Sequence, residues 1–199
     1  EKLFEEKKSG FTPDWLISNP ARSFYHGLMK TDLKDMSDEA LGEGFVISQD
    51  YIPRYTTVST LVIEGVNPGE DPANTIMWSA IGYAPCSYVI PVWVGAGSEI
   101  PACLSSKDKA LAPANELAME LKEVVFPVTR GNGNKYLDYL TLRRDIMPEV
   151  EKAEADEIAA GEDVKSSFAR NGFDIELVKK FNAKADERFV AFRNKMKKI

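Results

Sequence analysis

The chain has 199 residues, 44% of them hydrophobic, with a net charge of −6 and an isoelectric point near 5.0. That is enough apolar material for a packed core, and it excludes disorder as the ground state. The acidic balance argues against general nucleic-acid binding, which needs clustered Lys and Arg to neutralise phosphates, and no apolar run is long enough to span a membrane.

The chain opens with Glu1, without Met or a signal peptide, in a charged helical pattern that Gly10 ends. This start reads as that of a processed or excised chain. Thr12-Pro13-Asp14-Trp15 has the form of a helix start, with Thr as cap and Pro at the first helical position. Asn19-Pro20-Ala21-Arg22 repeats that logic and predicts a helix to about Lys30, carrying the single histidine, His26. With no Cys or carboxylate cluster around it, His26 reads as a surface or satisfied polar group rather than a metal ligand. Thr31–Gly44 is polar and acidic, a short helix or loop, and Phe45-Val46-Ile47 reads as a brief strand.

The organising stretch runs from Arg54 to Ser105. Three β-branched and aromatic runs, Tyr55–Gly65, Thr75–Gly82 and Ser87–Val94, are each bounded by Gly, Pro, Asn or Asp, the signature of strands and turns. The first is rich in hydroxyls early and apolar late, as in a strand covered on both faces at its buried end. Its polar end, Tyr55–Thr60, is where a pocket is expected. Pro91 removes a ladder donor, so the third run belongs at a sheet edge or a bulge. Cys86 and Cys103 lack zinc-ligand spacing. They pair if the compartment is oxidising and their Cα atoms meet, and otherwise serve as small buried hydrophobes.

After the sheet, Asp108 is expected to cap a helix running to about Val125, with Leu117 and Leu121 inward and Pro127 as its stop. Gly131-Asn132-Gly133-Asn134 lacks a P-loop Lys and reads as a turn. Tyr136–Ile146 and Glu149–Ala160 read as helices, the second ended by Gly161 and presenting Glu149, Glu151, Glu154, Asp156 and Glu157 as a solvated face. Loop-type calcium spacing is absent. From Asp174 the residues Ile175, Val178, Phe181, Ala185, Phe189, Phe192, Met196 and Ile199 recur every three or four positions, an amphipathic helix. It packs on the domain or docks on another chain. Arg193, Lys195, Lys197 and Lys198 are the one local basic cluster. The fold class expected is α+β: an antiparallel sheet layer (45–105) flanked by helical stretches (1–44 and 106–199), as a single domain or as the C-terminal chain of a larger protein.

The block Tyr55-Thr56-Thr57-Val58-Ser59-Thr60-Leu61-Val62-Ile63, followed by Met77-Trp78 and by Gly82 through Val94, resembles the later part of N-terminal-nucleophile (Ntn) hydrolases. The group is that of the acyl-coenzyme A:6-aminopenicillanate acyltransferase-like and choloylglycine hydrolase-like enzymes, and the likeness covers roughly residues 20–105. It implies an αββα sandwich and a hydrolase or acyltransferase acting on amide bonds, with a small-molecule amide substrate or acyl donor and no cofactor or metal. The nucleophile in such enzymes is an N-terminal Cys released by self-cleavage, with its own α-amino group as base and an oxyanion hole beside it. Residue 1 here is Glu and neither cysteine lies near the start. The resemblance therefore places the nucleophile on an upstream chain of the same precursor. It further implies substrate-contacting or supporting roles for Arg54, Thr57 and Ser59, in place of the family's Ser-Arg pair, and an exported bacterial protein, secreted or periplasmic. The bland reading of these hydroxyls is that they satisfy sheet and turn hydrogen bonds.

Two further readings stand beside that one. The first is a non-catalytic α+β module that binds a partner through its last helix or a Trp78/Trp93 surface. The other is a self-contained enzyme pairing Cys86 with His26, which no motif supports.

Overall fold

The structure, a computed structural model, describes residues 7, 10–107 and 110–199. Most of the expected tail helix and the expected cap Asp108 lie outside these residues. The architecture is α+β, as expected, but the strands form three small antiparallel sheets rather than one. The first is a two-residue hairpin, β1 (Tyr25–His26) with β2 (Thr31–Asp32). The second has the order β3-β8-β7, from Phe45–Ile47, Lys135–Asp138 and Val128–Thr129. The third has the order β4-β5-β6, from Ser59–Glu64, Ile76–Ile81 and Ile90–Trp93. Three long helices follow: α1 (Pro113–Val125), α2 (Met147–Asn171) and α3 (Ile175–Met196).

The β4-β5-β6 sheet is the centre of the core. Paired residues in antiparallel strands share a face, so Val62, Trp78 and Pro91 point one way, as do Ile76 and Trp93. This face is covered by α2. Trp78 and Trp93 are buried, and Trp93 meets Phe168 of α2 and Phe181 of α3 edge-on at 6.0 and 4.9 Å. The expected Trp78/Trp93 binding surface is thereby corrected to core. Pro91 does lie on an edge strand, β6.

The opposite face carries Leu61, Ile63, Met77 and Val92. Leu61 is 54% exposed and Ile63 71%, with Val58 just before them at 63%. The first strand is thus open on one face, not covered on both. β4 pairs with β5 on one side and with no strand on its other side among the described residues.

Several expectations shift in physically instructive ways. Pro20 sits inside a π-type turn, Ile17–Ala21, and the chain then forms the β1-β2 hairpin in place of a helix through Lys30. Lys30 takes a positive φ of 57° in its loop. Residues 135–138 are strand, not helix, because Asp138 caps a helical turn only from Tyr139, accepting from the Thr141 backbone N–H at 3.0 Å. Gly161 does not end a helix; α2 runs through it to Asn171 and stops at Gly172, whose φ is +81°. At Gly161 the helix comes so near the sheet that a Cβ would sit 3.0 Å from Trp78 Cη2 and 3.1 Å from Pro91 Cγ. The close approach outweighs the loss of about 1 kcal/mol that glycine brings to a helix interior. The last helix is as expected: Asp174 caps it, and Val178, Phe181, Ala185, Phe189, Phe192 and Met196 are buried, while Ile199 is exposed.

The acidic face of α2 is the largest correction. Glu154 and Glu157 are 2% and 0% exposed. Glu154 takes a two-pronged ion pair from Arg22 at 2.6 and 2.7 Å, and Glu157 takes one from Arg188 of α3 at 2.6 and 2.9 Å. Buried charges persist only when paired and hydrogen-bonded, and these are both.

Candidate functional site

Arg54, Thr57 and Ser59 fall at the approach to the open strand β4. Arg54 is exposed, and its backbone N–H donates to Thr57 Oγ1 at 3.1 Å. The Thr57 hydroxyl donates in turn to the Ile52 carbonyl at 3.2 Å, closing the turn that launches the strand. Ser59 is the first residue of β4, exposed, and paired in register with Ile81.

Beside this turn lies a polar cluster. The Tyr55 hydroxyl donates to Glu123 Oε1 at 3.0 Å, and the Lys122 ammonium donates to the Tyr55 carbonyl at 3.1 Å. The ammonium groups of Lys122 and Lys135 lie 4.3 and 4.5 Å from the Tyr55 ring centroid, within cation–π range. Lys135 also bridges to Glu123 at 2.6 Å, which holds the Glu123 carboxyl below its usual range. Lys122 is buried, and desolvation pulls its ammonium below the usual lysine value. The sequence reading missed Lys122, although a signal was available. It occupies the inward phase of α1, four residues after Ala118 and next to Leu121, where only an internally engaged lysine can sit.

Neither cysteine is poised for chemistry. Cys86 and Cys103 are free and buried. Burial pushes both thiols well above the usual cysteine range, and at Cys103 the neighbouring Asp186 carboxylate adds to this. A nucleophilic cysteine needs the thiolate. In the native protein at pH 8, iodoacetamide should therefore leave both thiols unmodified by intact mass, and both should react once urea unfolds the chain; rapid alkylation of the native form would contradict the burial described. His26 is engaged away from Cys86. Its Nδ1 accepts from the Met29 backbone N–H at 3.1 Å, its Nε2 lies 3.8 Å from Asp50, and its ring meets Tyr51 edge-on. The described residues contain no group of three or more His, Cys, Asp or Glu that could hold a metal ion, and no helix among them is long and apolar enough to cross a membrane.

A cavity of about 420 Å³ lies where the segment after β6 meets α3. Asp186 of α3 pins the wall, accepting from the backbone N–H groups of Ala102 and Cys103 at 2.9 and 2.8 Å. Arg193, two turns further along α3, donates to Glu116 of α1 at 3.0 Å. The cavity shares no lining residue with the Arg54–Ser59 approach. Comparison of the chain with protein-family models, with curated proteins and with solved structures finds no match in any of the three.

Proposed function

We propose that this chain is the later part of an Ntn-type amidohydrolase or acyltransferase, its nucleophile supplied by an upstream segment of the same precursor. The observation that supports this reading most is the exposed outer face of the edge strand β4. Leu61 and Ile63 are exposed at the edge of the sheet while Ser79 and Ile90 on the same face are buried, so β4 offers an apolar margin on which further structure can pack. In an αββα arrangement a second sheet packs on that apolar face. The withdrawn thiols of Cys86 and Cys103 agree with a nucleophile coming from elsewhere.

On this reading an N-terminal Cys attacks the amide carbonyl, its own α-amino group takes the thiol proton, and the amine departs to leave an acyl-enzyme. Water or an acceptor amine then takes the acyl group. Exposed Arg54 at the open margin is placed to meet a substrate carboxylate, while Thr57 and Ser59 shape the turn and the first residue of the strand. The protein works outside the cytoplasm, secreted or in the periplasm.

The test is to express the full open reading frame that contains this sequence and to follow it by intact mass and by hydrolysis of a panel of acyl amides. Expected are two chains from self-cleavage, a Cys at the new N-terminus, and loss of activity when that Cys becomes Ala. A single unprocessed chain that hydrolyses none of the amides would overturn the reading. Binding without catalysis is a second reading, favoured by the cavity along α3.

A further inference from the structure

We propose that the cavity lined by Cys103, Ser105, Lys107, Leu111 and the Phe189–Arg193 turn of α3 is a binding site for a small amphiphilic carboxylate, of the class of a medium-chain fatty acid. The proposal is independent of the amide-bond reading, since the cavity and the open β4 margin have no residue in common.

Size comes first. About 420 Å³ is within the range of small-ligand pockets and ample for a flexible chain of several methylenes. The lining is divided in kind. Leu111, Pro113, Phe189 and Val190 supply apolar surface, and Leu111 and Val190 remain 56% and 54% exposed at its rim. Large apolar side chains left bare beside a cavity are costly to hydrate and are covered by an apolar ligand. Lys107 and Arg193 supply positive charge.

The unsatisfied donors among the described lining residues decide the sign of the ligand. Asp186, the carboxylate in the lining, already accepts from two backbone N–H groups, one on each oxygen, so it has less to offer a cation. Lys107 has no ion-pair partner among the described residues. Arg193 gives one nitrogen to Glu116, yet its Nε is buried with no hydrogen-bond acceptor. A buried donor left unsatisfied is unfavourable, and an anion reaching it removes that cost. An apolar wall with one unsatisfied guanidinium donor and one ammonium that has no ion-pair partner among the described residues matches an alkyl chain ending in a carboxylate.

Octanoate is the probe, titrated into the protein by calorimetry and by amide-shift NMR, with 1-octanol and octylamine as controls. Expected is one site with half-saturation below about 1 mM, a reasonable affinity for a ligand of about ten non-hydrogen atoms. Shifts should centre on Ser105, Phe189 and Val190. Octanol should bind at least about tenfold more weakly, the difference a charge-assisted hydrogen bond makes, and octylamine not measurably. Arg193→Met should remove the preference for octanoate over octanol while leaving octanol binding in place. Val190→Asp, at an exposed position, should weaken octanoate at least about tenfold without changing the fold. Half-saturation above about 1 mM, equal binding of octanoate and octanol, or shifts centred on Leu61 and Ile63 instead would each overturn the proposal.

Discussion

Glu154→Ala should destabilise this protein by about 3–5 kcal/mol, the usual cost of stripping one partner from a buried ion pair. Arg22 is 4% exposed, and its guanidinium is fully committed: to Glu154 through two nitrogens, to the Ala84 carbonyl at 2.9 Å and to the Ser87 carbonyl at 2.8 Å. Glu154 also accepts from the Val89 backbone N–H at 3.0 Å. Removing the carboxylate leaves a buried positive charge held by two neutral carbonyls, and the Val89 amide, just before β6, without its acceptor. Arg22→Met should cost a similar amount, because the carboxylate is then the stranded charge. The pair Arg22→Met with Glu154→Leu should recover most of the loss, since two apolar side chains of like volume need no solvation. Urea denaturation of the three variants checks this. A loss under about 1 kcal/mol for Glu154→Ala would mean that water reaches the pair. If that variant does not fold, Glu154→Gln keeps an acceptor for Val89 and should show a smaller loss of the same sign.

The same pair shows where reading from sequence stops. Glu154 and Glu157 fall in a run of carboxylates that looks solvated on local grounds, and only Arg22 and Arg188 make them internal. Arg22 is 132 residues away in the chain, and periodicity carries no information about charge at that distance. Where the signal is local, the reading holds. The β-branched runs locate β4, β5 and β6, Pro91 places β6 at an edge, and the three-to-four spacing of Val178 through Met196 predicts the buried stripe of α3.

Where two local signals compete, tertiary contacts decide. Tyr136 and Leu137 suit a helix as well as a strand, and pairing with Ile47 and Val46 makes them strand. His26 suits a helix until Pro20 and the Tyr25–Asp32 pairing turn the chain back. The hydroxyls of the first strand were visible in sequence, but the turn that engages Thr57 was not. The cavity along α3 was invisible for a deeper reason. No motif writes it; it exists because Asp186 ties a loop to a helix that begins some seventy residues later.

Trp78→Ala should cost about 3–5 kcal/mol, as large-to-small changes at fully buried aromatics do. The indole fills the space between β5 and α2, and its Nε1 donates to Glu64 at 3.0 Å, so the change opens a cavity and frees a carboxylate that Lys165 also holds. Gly161→Leu, on the facing helix, should cost about 1–3 kcal/mol through overpacking, since even its Cβ would lie 3.0 Å from Trp78 Cη2 and 3.2 Å from Cζ3. The informative measurement is the double variant. The leucine that clashes with an indole can occupy the void that alanine leaves, so the two losses should not add. The double variant should be more stable than the sum of the singles predicts by about 0.5–3 kcal/mol, the range for side chains that share a space. Denaturant curves for the four proteins supply the comparison. Additivity within about 0.5 kcal/mol would show that α2 does not rest on Trp78 at Gly161, and with it would fall the reason a glycine stands in the middle of a 25-residue helix.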